Sequence, residues 1–243
     1  MRKLILCMSM FLLSVSQLLA GTCAPDTLAN YIALGATGCT VGPLTFSGFS
    51  FSVLSTGGSP LIVNASQINV TPLLSNTFGV GFSSSGFRES GNNFVNYSIG
   101  YTEDPEGPIR SLDDVLDDPV TPPGLGQVTT VGCLGAAFTG TICPDSTVSL
   151  MVFDAGTSSQ LKAFTTFTGV SILGVQKTIT LNGNSSGNPN NTNGSVTING
   201  DSSSSIFAPE PGTFFAGALG LAVLVLSCKP RLKSLQVRFQ RRP

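Results

Sequence analysis

Histidine and tryptophan are absent from the chain, and charged residues make up only 10% of it. Without an imidazole, Ser-His-Asp and Cys-His catalysis, histidine metal sites and histidine acid–base chemistry are excluded. Tryptophan is a common sugar-stacking residue, so its absence weakens any prediction of a sugar-processing cleft. No other catalytic or cofactor-binding pattern stands out, and we expect a protein that is not an enzyme and needs no cofactor.

Basic residues are also scarce in the central part of the chain, residues 21–208. This part contains four basic and twelve acidic side chains. An acidic surface without a basic patch repels phosphate backbones, so we expect no nucleic-acid partner. The central part is long enough to form one domain with its own hydrophobic core.

The N-terminus has the features of a secretory signal peptide. Arg2 and Lys3 precede an apolar run that extends from Leu4 to Ala20. A basic segment, an apolar segment and a small residue at its exit are typical of a segment that the secretion translocon accepts and that is then removed. We therefore predict a signal peptide at residues 1–20, cleaved after Ala20; the alternative is an uncleaved N-terminal anchor.

A second apolar segment lies near the C-terminus. Residues 212–228 contain no charged side chain, and at about 1.5 Å per residue their helix is near the lower limit for crossing a hydrocarbon core about 30 Å thick. The tail that follows, 229–243, carries six basic and no acidic residues. By the positive-inside rule this tail stays in the cytoplasm. We predict one transmembrane helix at 212–228, and hence a precursor anchored in the inner membrane.

The tripeptide Pro209-Glu210-Pro211 stands directly before this apolar segment. Together with the basic tail, and behind a signal peptide, it resembles the PEP-CTERM sorting signal of certain Gram-negative bacteria. The resemblance implies that exosortase, a multi-pass membrane enzyme, recognises these three residues and removes the anchor. The sorting signal would span residues 209–235, with a basic stop formed by Lys229, Arg231 and Lys233.

Two features depart from this pattern: Pro230 interrupts the basic cluster, and the tail continues to Pro243. Within the central part, Tyr31–Cys39 followed by Leu44–Phe49 is also similar to a group of uncharacterised exported proteins that carry this sorting signal. That second resemblance implies a β-sandwich and brings no activity with it.

Four of the six cysteines lie in the predicted exported part: Cys23, Cys39, Cys133 and Cys143. Three pairings of these residues are possible. Proximity in sequence favours Cys23–Cys39 and Cys133–Cys143, each closing a short loop and stabilising the fold by about 2–3 kcal/mol. The alternative is a four-cysteine metal site, but the paired Cys-x-x-Cys spacing of zinc sites is absent.

Short runs of alternating apolar and polar residues fill most of the central part. Val95, Tyr97, Ile99 and Tyr101 share one face of such a run, and in Thr45–Val53 the phase changes at Gly48, as a β-bulge requires. Roughly ten runs of this kind are separated by Gly, Ser, Thr and Asn. The pattern predicts an all-β ectodomain at residues 21–200, an antiparallel β-sandwich or jelly roll.

Two short segments have helical features. Thr27–Leu34 predicts one or two turns inside the first disulfide loop, and Ser111–Leu116 predicts another helix, with Ser111 as N-cap and two aspartates in its first turn. Residues 182–205 are rich in Asn, Gly and Ser. Asn182–Gly194 predicts a flexible loop, Val196–Ile198 a final short strand, and residues 201–208 a linker to the sorting signal.

The densest chemical feature is an acidic stretch, residues 103–118, with seven carboxylates. Calcium prefers carboxylate and carbonyl oxygens, which makes this stretch a weak calcium candidate, although the EF-hand loop pattern is missing. The favoured interpretation is a solvated acidic loop. Two of its carboxylates could also serve as a glycosidase pair. The candidate calcium ligands are Asp113, Asp114, Asp117 and Asp118.

Two classes of function remain open at this point. The first is an exported structural or interaction protein, sorted to the periplasm, the cell surface or the medium and in contact with extracellular polysaccharide. The second is a carbohydrate- or calcium-binding β-sandwich, or a carboxylate glycoside hydrolase, that uses the acidic 103–118 loop.

Overall fold

The computed structural model describes residues 20–74, 78–117 and 124–184, and the backbone of 195–197 and 201–207. Residues 1–19 of the predicted signal peptide, the sorting tripeptide, the predicted transmembrane helix and the basic tail lie outside the described residues. In the described ranges, no helix combines the length and the apolar character that crossing a membrane requires.

Most of the described chain is β-strand, as the alternation predicted. The helices are α1 (Leu28–Ala33) and a 3-10 helix at Ala65–Gln67. The strands are β1 (Gly21–Thr22), β2 (Asp26–Thr27), β3 (Cys39–Val41), β4 (Leu44–Gly57), β5 (Asn69–Leu74), β6 (Phe78–Ser83), β7 (Arg88–Ser90), β8 (Phe94–Pro105), β9 (Ile109–Leu116), β10 (Leu125–Leu134), β11 (Thr147–Asp154), β12 (Ser159–Gln160), β13 (Lys162–Val170), β14 (Leu173–Asn182), β15 (Ser195–Thr197) and β16 (Asp201–Phe207).

Two sheets form the body of the molecule. The large sheet has the strand order β1-β3-β4-β8-β14-β10-β11-β12, and the small sheet has the order β13-β9-β16-β6-β5-β2. A third sheet contains only β15 and β7. The pairings are antiparallel except that of β1 with β3. Apolar side chains of both main sheets belong to one buried cluster, which confirms the all-β, sandwich-like prediction.

Aromatic rings fill the centre of this core. The face predicted for β8 is confirmed, because Val95, Tyr97, Ile99 and Tyr101 are all buried. The ring of Tyr101 lies 5.6–6.0 Å from those of three phenylalanines. Such tilted and stacked pairs add stabilisation beyond the area they bury. The three phenylalanines are Phe46, Phe49 and Phe82.

The predicted change of phase at Gly48 is a β-bulge. The register of β4 against β8 shifts between Ser47 and Ser50, and Gly48 has a φ of 63°, a left-handed conformation that glycine adopts without steric cost. The extra residue lets Phe46 and Phe49 both point into the core, although they are three positions apart.

Two local predictions near the disulfides are also confirmed. Helix α1 begins after Thr27, whose side chain accepts a hydrogen bond from the backbone N–H of Asn30. The disulfides pair Cys23 with Cys39 and Cys133 with Cys143. Both pairings close the short loops that sequence proximity favoured.

The helix predicted at Ser111–Leu116 is wrong, because this segment belongs to strand β9. The serine followed by two aspartates is a local helix-start pattern, but β9 makes ladders with β13 on one side and β16 on the other. Backbone hydrogen bonding to two neighbouring strands outweighs the local preference for starting a helix at Ser111. As a consequence Asp113 and Asp114 lie on opposite faces of a strand.

The linker predicted at residues 201–208 is also wrong over most of its length. Asp201–Phe207 forms β16, which lies inside the small sheet between β6 and β9. A serine-rich segment lacks the side-chain alternation of a strand, but its backbone can still pair with two open strand edges. The sandwich therefore extends beyond residue 200, to Phe207.

Candidate functional site

The outer face of the large sheet carries mostly polar, uncharged side chains across its central strands, with Asp104 near the end of β8 as a charged exception. Neighbouring amides and hydroxyls pair on it: Gln176 Nε2 donates to Ser98 Oγ at 3.3 Å, and Asn96 Nδ2 donates to Ser55 Oγ at 2.8 Å. The register of β4, β8 and β14 places Ser52, Ser98 and Thr178 in one row across the sheet. This face is a platform of neutral hydrogen-bonding groups.

A cleft of about 240 Å³ opens on this platform. Its floor is Gly100, where a Cβ atom would lie only 2.7 Å from Ser50 Oγ, so the missing side chain creates the space. Hydroxyl and amide groups of Ser50, Thr102 and Gln176 line it, with the aromatic ring of Phe138. None of the described residues that line the cleft carries a charge. We call this feature the outer cleft.

A disulfide-closed loop brings Phe138 to the outer cleft. The loop connects β10 to β11 and is closed by Cys133–Cys143. Gly174 of β14 donates its N–H to Ala136 O at 3.0 Å, and a Cβ at Gly174 would lie 2.8 Å from that same oxygen. Only glycine permits this close approach of loop to strand. The loop is thus fastened to the sheet at Gly174 and by its disulfide.

The outer cleft has the chemistry of a binding surface for a polar, uncharged ligand. Its hydroxyls and amide donate and accept hydrogen bonds, and the ring of Phe138 offers an apolar surface to a ligand. No carboxylate, amine or thiol lies among its described lining residues. Sequence reasoning missed the outer cleft because its residues come from three strands and a loop that are distant in the chain.

The acidic stretch does not form the predicted acidic loop. It begins in β8 of the large sheet, crosses through Glu106 and continues in β9 of the small sheet. Glu103 points into the core and is fully buried, whereas Asp104 is exposed. The stretch thus divides its carboxylates between the core and the surface.

The four candidate calcium ligands are also separated. Asp114 is fully buried, Asp113 is half-buried on the opposite face of β9, and Asp117 is exposed beyond the end of that strand. Asp118 lies outside the described residues. Within the described ranges, no three Asp, Glu, Cys or His residues form a group that could hold a metal ion. The described residues therefore do not bring a calcium site together.

The buried Asp114 instead contacts Lys177. Lys177 Nζ donates to Asp114 Oδ1, and both side chains are 0% exposed. Lys177 also donates to Thr130 Oγ1 at 3.3 Å. Burial raises the pKa of Asp114, while the charge of Lys177 and hydrogen bonds from Lys177 and Thr130 act in the opposite direction. The pair spans the sandwich, since Asp114 belongs to the small sheet and Lys177 to the large one.

Comparisons with known proteins identify no family. No family model matches the chain, and no curated protein matches it. Among solved structures, TmCBM61 in complex with beta-1,4-galactotriose aligns with a TM-score of 0.29 at 10% identity, over 73% of this chain and 97% of that one. The enzymatically active domain of tailspike protein 4 from bacteriophage CBA120 aligns with a TM-score of 0.27 at 10% identity, over 72% of this chain and 21% of that one. Similarity at this level does not bear on function.

Proposed function

We propose that this chain is an exported, surface-sorted β-sandwich that binds an uncharged polysaccharide through the outer cleft and catalyses no reaction. The PEP-CTERM resemblance supplies the sorting part of the proposal, with exosortase as processing partner. The observation that carries the binding part is the composition of the outer cleft.

Uncharged sugars match the groups in this cleft. Each sugar ring presents several hydroxyls, which donate and accept hydrogen bonds as Ser50, Thr102 and Gln176 do. The C–H faces of the ring are apolar and can pack on Phe138. A phosphate or carboxylate ligand would lose its hydration without gaining a cationic partner, because the described lining residues include no Lys or Arg. The chemistry therefore selects neutral rather than anionic polysaccharides.

The proposal is tested by calorimetric titration of the exported protein with a panel of neutral and anionic oligosaccharides. We expect binding of one or more neutral members and none of the anionic ones. Phe138→Ala removes the ring that packs on the sugar and should weaken binding about fivefold, since such contacts contribute about 1 kcal/mol. Gln176→Ala should have an effect of similar size through its lost hydrogen bonds.

Phe164→Ala is the matched control. Phe164 is 78% exposed and lies on β13 of the small sheet, away from the outer cleft. Its removal should leave sugar affinity unchanged. If no neutral oligosaccharide gives a binding heat, or if Phe138→Ala and Phe164→Ala lose equal amounts of sugar affinity, the outer cleft is not the binding site.

A further inference from the structure

We propose that Lys177 and Asp114 condense with each other, without an enzyme, to form an amide bond that joins the two sheets of the sandwich. The bond would link Lys177 Nζ to Asp114 Cγ. It is a modification of the core, and it is independent of the outer cleft and of the sorting signal.

The arrangement of the strands holds the two reacting groups together. Asp114 lies on β9 between the buried residues Leu112 and Leu116, and Lys177 lies on β14 between the buried residues Val175 and Ile179. The amine and the carboxylate are in direct contact although 63 residues separate them in the chain. Groups held at contact distance react as one unimolecular system, without the entropy cost of an encounter.

The surroundings favour the reactive protonation states. An ammonium and a carboxylate do not condense, but an amine and a carboxylic acid do. Removal from water disfavours both charged forms, so transfer of a proton from Lys177 to Asp114 becomes accessible inside the core. Burial raises the pKa of Asp114, which acts in the same direction.

The reaction balances without any co-reactant. After the proton transfer, the lone pair of Lys177 Nζ attacks Asp114 Cγ, and a C–N bond forms. The tetrahedral intermediate then collapses: the C–O bond to the carboxyl hydroxyl breaks, and the hydroxyl leaves with a proton from the nitrogen as one water molecule. A zwitterionic pair becomes a neutral amide plus water, with no net change of charge and no oxidation or reduction.

Thr130 is a positioning residue for this step. Its fully buried hydroxyl accepts a hydrogen bond from Lys177 Nζ at 3.3 Å. This bond holds the amine in place beside the Asp114 carboxylate, with which Lys177 Nζ is in direct contact. The hydroxyl faces Lys177 directly, because Thr130 and Lys177 are register partners on β10 and β14.

The test is mass spectrometry of the full chain after export and purification, with its disulfides reduced and alkylated. We expect an intact mass lower, by one water molecule, than the mass calculated from its own terminal residues. Trypsin should not cleave after Lys177, because an acylated lysine is not a substrate. Fragmentation should then identify a branched peptide joined at Asp114. A chain of full mass that trypsin cleaves after Lys177 overturns the proposal.

Four variants test whether the loss of water comes from the Lys177–Asp114 pair and whether Thr130 assists it. Lys162→Arg changes an exposed lysine on β13 and should retain the loss of water. The double variant Lys177→Met with Asp114→Leu keeps the core neutral and filled, so it should fold and show the full mass. Thr130→Val should lower the condensed fraction at a fixed time after synthesis, and Thr130→Ser should restore it. A mass lower by one water molecule in the double variant would contradict the Lys177–Asp114 bond. A condensed fraction that Thr130→Val leaves unchanged would contradict the positioning role of Thr130.

Discussion

Two buried polar side chains fasten the segment between β4 and β5 to the body of the fold. Glu89 is 4% exposed and accepts a hydrogen bond from the backbone N–H of Leu61 at 2.8 Å. Tyr97 donates its hydroxyl to Leu61 O at 2.9 Å and accepts from the N–H of Val63 at 3.1 Å. Burial raises the pKa of Glu89, although the bond from Leu61 opposes this rise. The carboxyl group that anchors this segment therefore resists ionisation.

The raised pKa of Glu89 predicts a pH dependence of stability. Because this pKa is higher in the folded than in the unfolded state, the contribution of Glu89 is fully present below its ordinary pKa and is lost as pH rises through the raised value. Glu89→Gln keeps an oxygen to accept from Leu61 but cannot ionise. The stability of this variant relative to the wild type should therefore increase with pH across that window, with a slope of at most about 1.4 kcal/mol per pH unit for a single carboxyl group.

Urea unfolding of both proteins at a series of pH values measures this difference. Glu106→Gln, which changes an exposed carboxylate, is the matched control and should show no such slope. A difference between Glu89→Gln and the wild type that stays constant with pH would mean that Glu89 titrates alike in the folded and unfolded chains.

At the scale of elements, β16 is the strand on which the small sheet depends. It pairs with β9 from Asp201 to Phe207 and with β6 from Asp201 to Ser205. A chain that ends at Gly200 leaves β6 and β9 with open edges and divides the small sheet in two. Each backbone hydrogen bond contributes about 1 kcal/mol. Losing the hydrogen bonds of β16 to both β6 and β9 therefore removes a free energy comparable to that of unfolding a whole domain, about 5–15 kcal/mol.

We therefore expect a chain that ends at Gly200 to lose its cooperative thermal transition and to be degraded rapidly by protease. A chain that ends at Ala208 retains β16 and is the control that should unfold cooperatively. Thermal unfolding followed by circular dichroism, together with limited proteolysis, measures this difference between the two chains. Equal melting temperatures would show that β16 is dispensable.

Sequence prediction succeeded where the cause was local. The bulge at Gly48, helix α1 after Thr27 and both disulfide pairings follow from residues that are close together in the chain. It failed at Ser111–Leu116 and at residues 201–208, where pairing with distant strands overrides a local cap or a polar composition. The outer cleft and the Lys177–Asp114 contact could not be predicted either, because each depends on which strands become neighbours in the folded molecule.

At the scale of the whole molecule, the covalent links are spread over the fold. Cys23–Cys39 ties β3 to the segment between β1 and β2, and Cys133–Cys143 closes the loop beside the outer cleft. Disulfides persist in oxidising compartments outside the cytoplasm, in agreement with the export that the N-terminus predicts. The proposed Lys177–Asp114 amide would add a link between the sheets that no reductant breaks.

The position of β16 constrains where the predicted anchor could be cut off. Phe207 is the last residue of the strand, and only Ala208 separates it from Pro209. A processing enzyme that cut before Phe207 would remove part of the central strand of the small sheet, whereas a cut at the tripeptide leaves the strand complete. An intact small sheet and the sorting resemblance therefore favour the same place for the cut, Pro209–Pro211.

We accordingly predict that the mature protein, recovered from its own host, begins near Gly21 and ends at Pro209–Pro211, with added mass at the new C-terminus from an acceptor. Intact-mass measurement and sequencing of both ends test this. Glu210→Ala removes a predicted recognition residue and should leave the precursor unprocessed, while Glu106→Ala, which changes an exposed glutamate of the sandwich, should be processed normally. A wild-type protein that keeps the residues from Lys229 to Pro243 would instead be a permanently anchored membrane protein. Its folded part would then act only at the membrane surface, because no step would release it.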